Sequence, residues 1–165
     1  MPRFRSISLA LTVCLMFGTT VTQAQSKKTS KEAEKLAQAG TTARQDIRSA
    51  FDLLEGLFAQ YNAIMDGSVD RKPAYKELTR EVKSADKSAE AARKSIDAMK
   101  QQAEKLFVVW QTDIDSMTDA DLKARHQSRL ESRKERYTTF NDAIAAARNE
   151  LSPFFKSLKD QIAFL

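Results

Sequence analysis

The chain has 165 residues and a formal net charge of +5, with one Cys, one His, four Gly and three Pro. This length suits one domain. The single Cys excludes an intramolecular disulfide and every multi-cysteine metal site, and the single His excludes two- and three-histidine metal sites within one chain. Because so few glycines and prolines leave little material for the turns of a sheet-rich fold, we expect an all-α protein.

The first 24 residues have the three parts of a secretory signal peptide. Arg3 and Arg5 precede an apolar run over 7–17, and small residues at −3 and −1 predict cleavage after Ala24. A spanning helix needs about 20 apolar residues, and no stretch of the chain reaches that length. We therefore expect a periplasmic or secreted protein with no transmembrane span in the mature chain.

The single cysteine, Cys14, lies inside this apolar run. It follows Val13, where a lipid-attachment signal would carry a small residue, so the sequence argues against lipid anchoring. Cleavage after Ala24 would leave a cysteine-free chain, which suits an oxidising compartment.

After a polar lead over 25–30, apolar or small residues recur at alternating spacings of three and four in three series. These run from Ala33 to Ile64, from Tyr75 to Trp110 and from Leu130 to Leu158. Such spacing is typical of helices that pack at shallow angles, because it keeps one stripe facing the partner. It predicts helices over about 31–66, 71–115 and 119–165.

Two turns separate these helices. Gly67 can end the first helix and Pro73 fits the first turn of the second. The seven-residue phase continues from Tyr61 to Tyr75, so one long, dimerising helix is the alternative. Interior Pro costs about 3 kcal/mol and Gly about 1 kcal/mol, which favours the turn. At the second turn, Thr118 with Asp121 resembles a capping box.

These features predict an elongated, antiparallel, coiled-coil-like bundle of three helices, up-down-up. Helices of about 45 residues would run roughly 65–70 Å. Alanines 85, 89 and 92 should let a partner backbone come close at mid-length. Pro153 predicts a kink or break near 152–153.

Few residues of the sequence are candidates for catalysis or for binding a metal or cofactor. His126 falls on the apolar stripe of the third helix, where a packed residue is the expected role. The Glu-x-x-His pairs of di-iron bundles are absent, as are a haem-attachment motif, a phosphate loop and a nucleophile elbow. We therefore expect no enzymatic activity, no catalytic residues, no metal and no cofactor.

A basic stretch lies in the third helix. It is either a patch for an acidic polymer or lipid head group, or a solvated face neutralised by Glu131 and Glu135. No aromatic residues interleave with its charges, so we expect no nucleic-acid partner. The basic stretch consists of Lys123, Arg125, Arg129, Arg133, Lys134 and Arg136.

The C-terminal segment is notably apolar and belongs either to the core or to an interface with a partner. The candidate interface residues are Phe155, Ile162, Phe164 and Leu165.

Three segments resemble an uncharacterised bacterial family, domain of unknown function 2959: the run from Ala74 to Trp110, the Arg133–Tyr137 pentapeptide, and the run from Pro153 to Leu165. The resemblance implies a helical, exported protein and assigns no activity, so it places no catalytic residue on this chain. The resemblance also implies a protein that is often lipoprotein-like and that continues into a further helix. This sequence has no convincing lipid-accepting cysteine and stops before that helix, so it is expected to be either a short variant or a truncated chain.

Together these observations predict a non-enzymatic periplasmic scaffold or interaction protein that contacts an envelope protein or associates with itself. The alternative is a protein that binds anionic lipid or polysaccharide surfaces through residues 123–136.

Overall fold

The computed structural model describes residues 26–163, which form three helices: α1 (Lys27–Met65), α2 (Arg71–Asp115) and α3 (Ala120–Ala163). Within that range there are no strands, so the predicted all-α fold is confirmed. The predicted signal peptide lies outside the described residues.

The turn between α1 and α2 is built around Gly67. This residue has a φ of 75°, in the left-handed region that glycine adopts without steric cost. Asp70 then caps α2, its side chain accepting a hydrogen bond from the Lys72 N–H at 3.2 Å. The chain therefore doubles back here, and the alternative of one long helix is wrong.

The turn between α2 and α3 differs slightly from the prediction. The Asp119 carboxylate accepts a hydrogen bond from the Leu122 N–H at 2.8 Å, and α3 begins at the next residue, Ala120. The cap is therefore Asp119, one residue beyond Thr118. An aspartate cap also places a negative charge at the positive end of the helix dipole.

Two further bounds differ from expectation. α1 begins at Lys27, so most of the polar lead over 25–30 is helical. α3 continues through Ser152 and Pro153, so the helix is not broken near 152–153, and the alternative of a kink at Pro153 stays a prediction. Proline lacks the N–H that would bond the carbonyl four residues earlier, so α3 loses one backbone hydrogen bond at this point.

The three apolar stripes form the core, which is divided into two clusters. The Trp110 cluster, towards the α2–α3 turn, contains Leu36, Ala43, Met99, Ala103, Leu106, Phe107, Trp110, Ile114, Leu130 and Phe140. The Leu57 cluster, towards the α1–α2 turn, contains Leu57, Ile64, Leu78, Ala85, Leu158 and Ile162. Along α2, Tyr75 is the one stripe residue that is exposed, and it is the first of the stripe, near the start of the helix.

The two helices that flank α2 pack against it unequally. α1 approaches α2 closely along the bundle, whereas α3 approaches α2 at fewer points. Polar contacts reinforce the first pair: Gln60 Nε2 donates to Glu81 at 2.7 Å, and Gln102 Nε2 donates to Glu32 at 2.5 Å. The rigid unit of the fold is therefore the α1–α2 hairpin, with α3 laid along it.

Asp113, near the C-terminal end of α2, joins α2 to the start of α1 at the end of the hairpin opposite the Gly67 turn. Its Oδ2 accepts hydrogen bonds from the hydroxyls of Ser26 and Thr29, both at 2.5 Å, and Thr29 is fully buried. Partial burial acts to raise the pKa of Asp113, but the hydrogen bonds from Ser26 and Thr29 outweigh it, so the pKa is lowered.

This contact explains an acidic residue that is poorly placed within its own helix. Asp113 lies in the last turn of α2, where a negative charge is unfavourable. Because the helices are antiparallel, that turn lies beside the first turn of α1, which carries no acidic residue of its own. Asp113 therefore supplies from α2 the negative charge that the α1 N-terminus favours.

Candidate functional site

The basic stretch lies along the first half of α3, next to the α2–α3 turn. Its side chains are largely at the surface, and Lys123 and Arg133 are half-buried. The exposed members are Arg125, Arg129, Lys134 and Arg136.

The hydrogen bonds of this stretch leave much of its charge uncompensated. Lys123 Nζ donates to the carbonyl oxygen of Asp115, and Arg125 Nε to that of Asp121, each at 3.3 Å. A neutral carbonyl satisfies a donor but does not cancel the charge of the cation. Within residues 26–163, Lys134 and Arg136 have neither a hydrogen-bond partner nor an ion-pair partner for their side chains.

The turn beside the basic stretch is acidic. Asp115, Asp119 and Asp121 are all exposed there. Their negative charges oppose the positive charges of Lys123 and Arg125. Further along α3, four basic residues (Arg129, Arg133, Lys134 and Arg136) outnumber the two exposed acidic residues, Glu131 and Glu135, so the excess of positive charge lies away from the turn.

His126 is buried at 2% exposure. Its Nδ1 has no hydrogen-bond partner among the described residues, and neither has the Nε1 of Trp110. The packed role expected for this histidine is confirmed. Across residues 26–163, no group of three or more His, Cys, Asp or Glu side chains is arranged to hold a metal ion.

The candidate apolar interface is part of the core wherever it is described. Ile162 is buried in the Leu57 cluster, and Phe155 packs against that cluster, with Lys159 Nζ 4.7 Å from the centre of its ring. These two side chains are therefore not an open surface, because the end of α3 turns them towards α1 and α2. Phe164 and Leu165 lie outside the described residues.

A mid-length cavity of about 380 Å³ lies between the three helices, and the sequence did not predict it. Ala85, Ala89 and Ala92 line its wall. We expected these alanines to let a partner backbone come close, and α1 does approach α2 closely along the bundle. On the other side α3 does not close onto the alanines, and their small side chains leave the space unfilled. The run of alanines was the available signal, yet it is equally compatible with close packing.

None of the helices within residues 26–163 has an apolar stretch of the length and hydropathy needed to cross a bilayer.

Comparison with known proteins gives one match. No curated protein and no solved structure matches the chain. Residues 21–165 match the family described as "Protein of unknown function (DUF2959)", which confirms the resemblance noted in the sequence. The match spans most of the chain, and the protein belongs to this family.

Proposed function

We propose that this protein is a non-enzymatic helical scaffold or interaction protein of the periplasm. Export is supported by the signal-peptide pattern of residues 1–24. The observation that carries the proposal is the pair of exposed cations Lys134 and Arg136 on α3, whose side chains have no hydrogen-bond or ion-pair partner within residues 26–163.

The shape of the bundle suits this role. α2 alone has 45 residues, which corresponds to a rod of roughly 65–70 Å. A rod of this length that carries the basic stretch on one helix can hold a partner in a fixed orientation. Complementary charge steers association and sets the register of the two surfaces more than it adds affinity. We therefore expect an envelope protein with an acidic surface as the partner.

Cross-linking in living cells tests this proposal. A photo-reactive amino acid at the exposed position Ser132, inside the basic stretch, should capture a reproducible envelope protein. The same amino acid at Ser49, exposed on α1, is the matched control and should not capture it. Lys134→Glu with Arg136→Glu should abolish capture from position 132. Equal background capture from both positions, or capture that survives the charge reversal, would contradict the proposal.

A second candidate function uses the same observation. Lys134 and Arg136, whose side chains have no partner in the described chain, would also be attracted to anionic lipid or polysaccharide, at about 1 kcal/mol per basic residue near a charged surface. Such binding should weaken strongly as salt is raised. Self-association is the remaining possibility for the partner, and light scattering separates it from the other two.

Vesicle sedimentation tests the second candidate. Vesicles with anionic lipid should retain the protein at low salt, and vesicles of zwitterionic lipid should not. Lys134→Glu with Arg136→Glu should release it, whereas Lys83→Glu with Lys87→Glu, an equal charge change at exposed positions of α2, should have a much smaller effect. Retention that is insensitive to salt and to both variants would reject this function.

A further inference from the structure

The mid-length cavity lies where the core is interrupted. In the described chain, no side chain of α1 between Ala43 and Leu57 is fully buried, and the apolar stripe residues Ile47, Ala50 and Leu54 are only half-buried. The same holds on α3 for Ile144, Ala147 and Leu151. At this level of the bundle, the apolar side chains therefore border an unfilled volume instead of packing against one another.

The cavity is long and narrow. Its lining on α2 extends from Ala85 to Lys100, which corresponds to about 22 Å along the helix axis. Its volume of about 380 Å³ falls within the range of about 300–1,000 Å³ typical of small-molecule sites. An elongated slot of this kind suits an extended chain better than a compact ring system. The apolar lining consists of Ile47, Ala50, Phe51, Leu54, Ala85, Ala89, Ala92, Ile96, Phe140, Ile144, Ala147, Leu151 and Phe155.

The charged residues of the lining are mostly basic. The acidic residues are Glu90 and Asp97, and Glu90 is already paired with Arg93 at 3.2 Å. The basic residues are Arg44, Arg93, Lys94, Lys100 and Arg148. The rim therefore has an excess of positive charge.

Two of the five basic residues, Arg44 and Lys100, lie at one end of the slot, and Arg93, Lys94 and Arg148 lie near its middle. Because α1 and α2 are antiparallel, Arg44, the first lining residue of α1, lies at the same end as Lys100, the last lining residue of α2. The proximity of Gly40 to Met99, whose sulfur lies 3.9 Å from an ideal Cβ on Gly40, fixes this register. The opposite end is lined by Leu54, Ala85 and Phe155, so the slot is basic at one end and apolar at the other.

Arg44 adds a second, independent observation. Its Nε is shielded from solvent and has no hydrogen-bond partner among the described residues. Leaving a donor of a charged group buried and unsatisfied is costly. Rotation of the Arg44 side chain towards the cavity would let an anion bound at this end satisfy this N–H with a charge-assisted hydrogen bond.

We infer that the mid-length cavity binds a single-chain amphiphile with an anionic head group, of which a long-chain carboxylate is the simplest. The head group lies at the Arg44–Lys100 end and the hydrocarbon chain runs towards Leu54 and Phe155. The chain covers the half-buried apolar stripe between the two core clusters, and the head group satisfies the Arg44 guanidinium. This site is separate from the basic stretch on α3, and the inference does not depend on the proposed function.

The test is titration of the delipidated full chain with a fluorescent long-chain carboxylate, followed by displacement with palmitate. The wild-type protein should show saturable binding at one site per chain. Ala89→Phe and Ala147→Phe, which fill the slot from α2 and from α3, should each abolish it. Arg44→Gln should weaken binding of the carboxylate by about tenfold or more, while changing binding of its uncharged methyl ester by less than about threefold.

Two controls keep the test decisive. Lys134→Glu with Arg136→Glu changes the surface charge of α3 outside the cavity and should leave carboxylate binding unchanged. Circular dichroism should show that every variant keeps its helical content, and Arg44→Gln serves if either phenylalanine variant fails to fold. The inference is overturned if the wild-type chain does not bind, or if binding survives in the filled variants. It is equally overturned if the cavity is covered by a second copy, so that filling it changes the oligomeric state seen by light scattering.

Discussion

The α1–α2 interface and the α2–α3 interface share one helix but are held together differently. Between α1 and α2, polar contacts are spread along the length of the hairpin. Asp113 bonds Ser26 and Thr29 at one end, and Gln60 bonds Glu81 nearer the other. Between α2 and α3, Gln111 Nε2 donates to Gln127 at 3.1 Å near the turn, and the Tyr137 hydroxyl donates to the Lys100 carbonyl at 3.4 Å further along α2. The cavity follows, and Lys159 Nζ donates to Asp86 at 2.6 Å beyond it.

This difference shows that the apolar stripe of one helix can be covered more completely by one neighbouring helix than by the other. Small residues of α2 allow α1 to lie close, and the stripe is then largely covered from that side. The first half of α3 packs into the Trp110 cluster, where His126 and Leu130 are buried. The middle of α3 presents half-buried apolar residues to the alanines of α2, and neither side has the volume to fill the gap. A ligand site can therefore arise without any gap in the apolar pattern.

The largest expected effect is in the α1–α2 interface. Leu57 is fully buried, so Leu57→Ala should lower the free energy of unfolding by about 2–5 kcal/mol. Leu151→Ala, at a half-buried position beside the cavity, should cost less than half as much, because much of its surroundings is already empty. Urea denaturation followed by circular dichroism measures both. Equal losses would show that the two interfaces are packed alike.

The next effect concerns the continuity of α3. Pro153 lies inside the helix and is exposed, so Pro153→Ala should raise the free energy of unfolding by up to about 3 kcal/mol, because the missing hydrogen bond is restored. Ser152→Ala at the exposed neighbouring position is the control and should change it by less than about 0.5 kcal/mol. No gain for Pro153→Ala would mean that the proline is already accommodated without cost.

A third effect concerns the polar contact at the end of the hairpin. Asp113→Ala removes the hydrogen-bond acceptor of the buried Thr29 hydroxyl. It should therefore lower the free energy of unfolding at neutral pH by about 1–3 kcal/mol, as measured by urea denaturation. Asp52→Ala, at an exposed position of α1, is the matched control and should have little effect.

The same contact predicts a pH dependence with a definite sign. The pKa of Asp113 is lowered in the folded protein, so the folded state favours the carboxylate. Its contribution is fully present above the ordinary value of 3.8 and is lost as the pH falls through the lower folded-state pKa. The stability difference between wild type and Asp113→Ala should therefore shrink in acid below that value. A difference that stays constant there would contradict the assigned role.

The smallest effect tests the far end of the α2–α3 interface. Lys159 pairs with Asp86, but the side chains are 37% and 46% exposed, and water therefore screens their attraction. Lys159→Ala, which also removes the contact with the Phe155 ring, should lower the free energy of unfolding by less than about 1 kcal/mol. Lys156→Ala, at an exposed position, is the control and should lower it by less still. A double-mutant cycle with Asp86→Ala isolates the pair. A coupling well above 1 kcal/mol would place more of the α2–α3 stability at this end than the structure indicates.

Much of the architecture could be predicted from spacing and turn chemistry alone. The three-four spacing placed Leu57, Leu78 and Leu130 on the apolar stripes, and all three are fully buried. Gly67 predicted the first turn because few other residues adopt its backbone conformation. These features depend on interactions within a few residues of the chain, which is why they can be recognised without knowing the neighbours.

The positions of the basic residues could also be read from the sequence, but which of their side chains have a hydrogen-bond or ion-pair partner could not. The six cations of the basic stretch are evident in the sequence. That Lys123 and Arg125 bind carbonyl oxygens, while Lys134 and Arg136 have no partner in the described chain, depends on rotamers and on the position of the acidic turn.

The sequence by itself determined three helices, their turns, their apolar stripes and a positive flank on the last helix. The tertiary structure alone decided that Asp113 lies at the N-terminus of another helix and that alanines 85, 89 and 92 line a cavity. The reason is that both depend on how far apart and in what register two helices lie. Small side chains permit either a close approach or an empty space, and the whole bundle, rather than any one segment, selects between them.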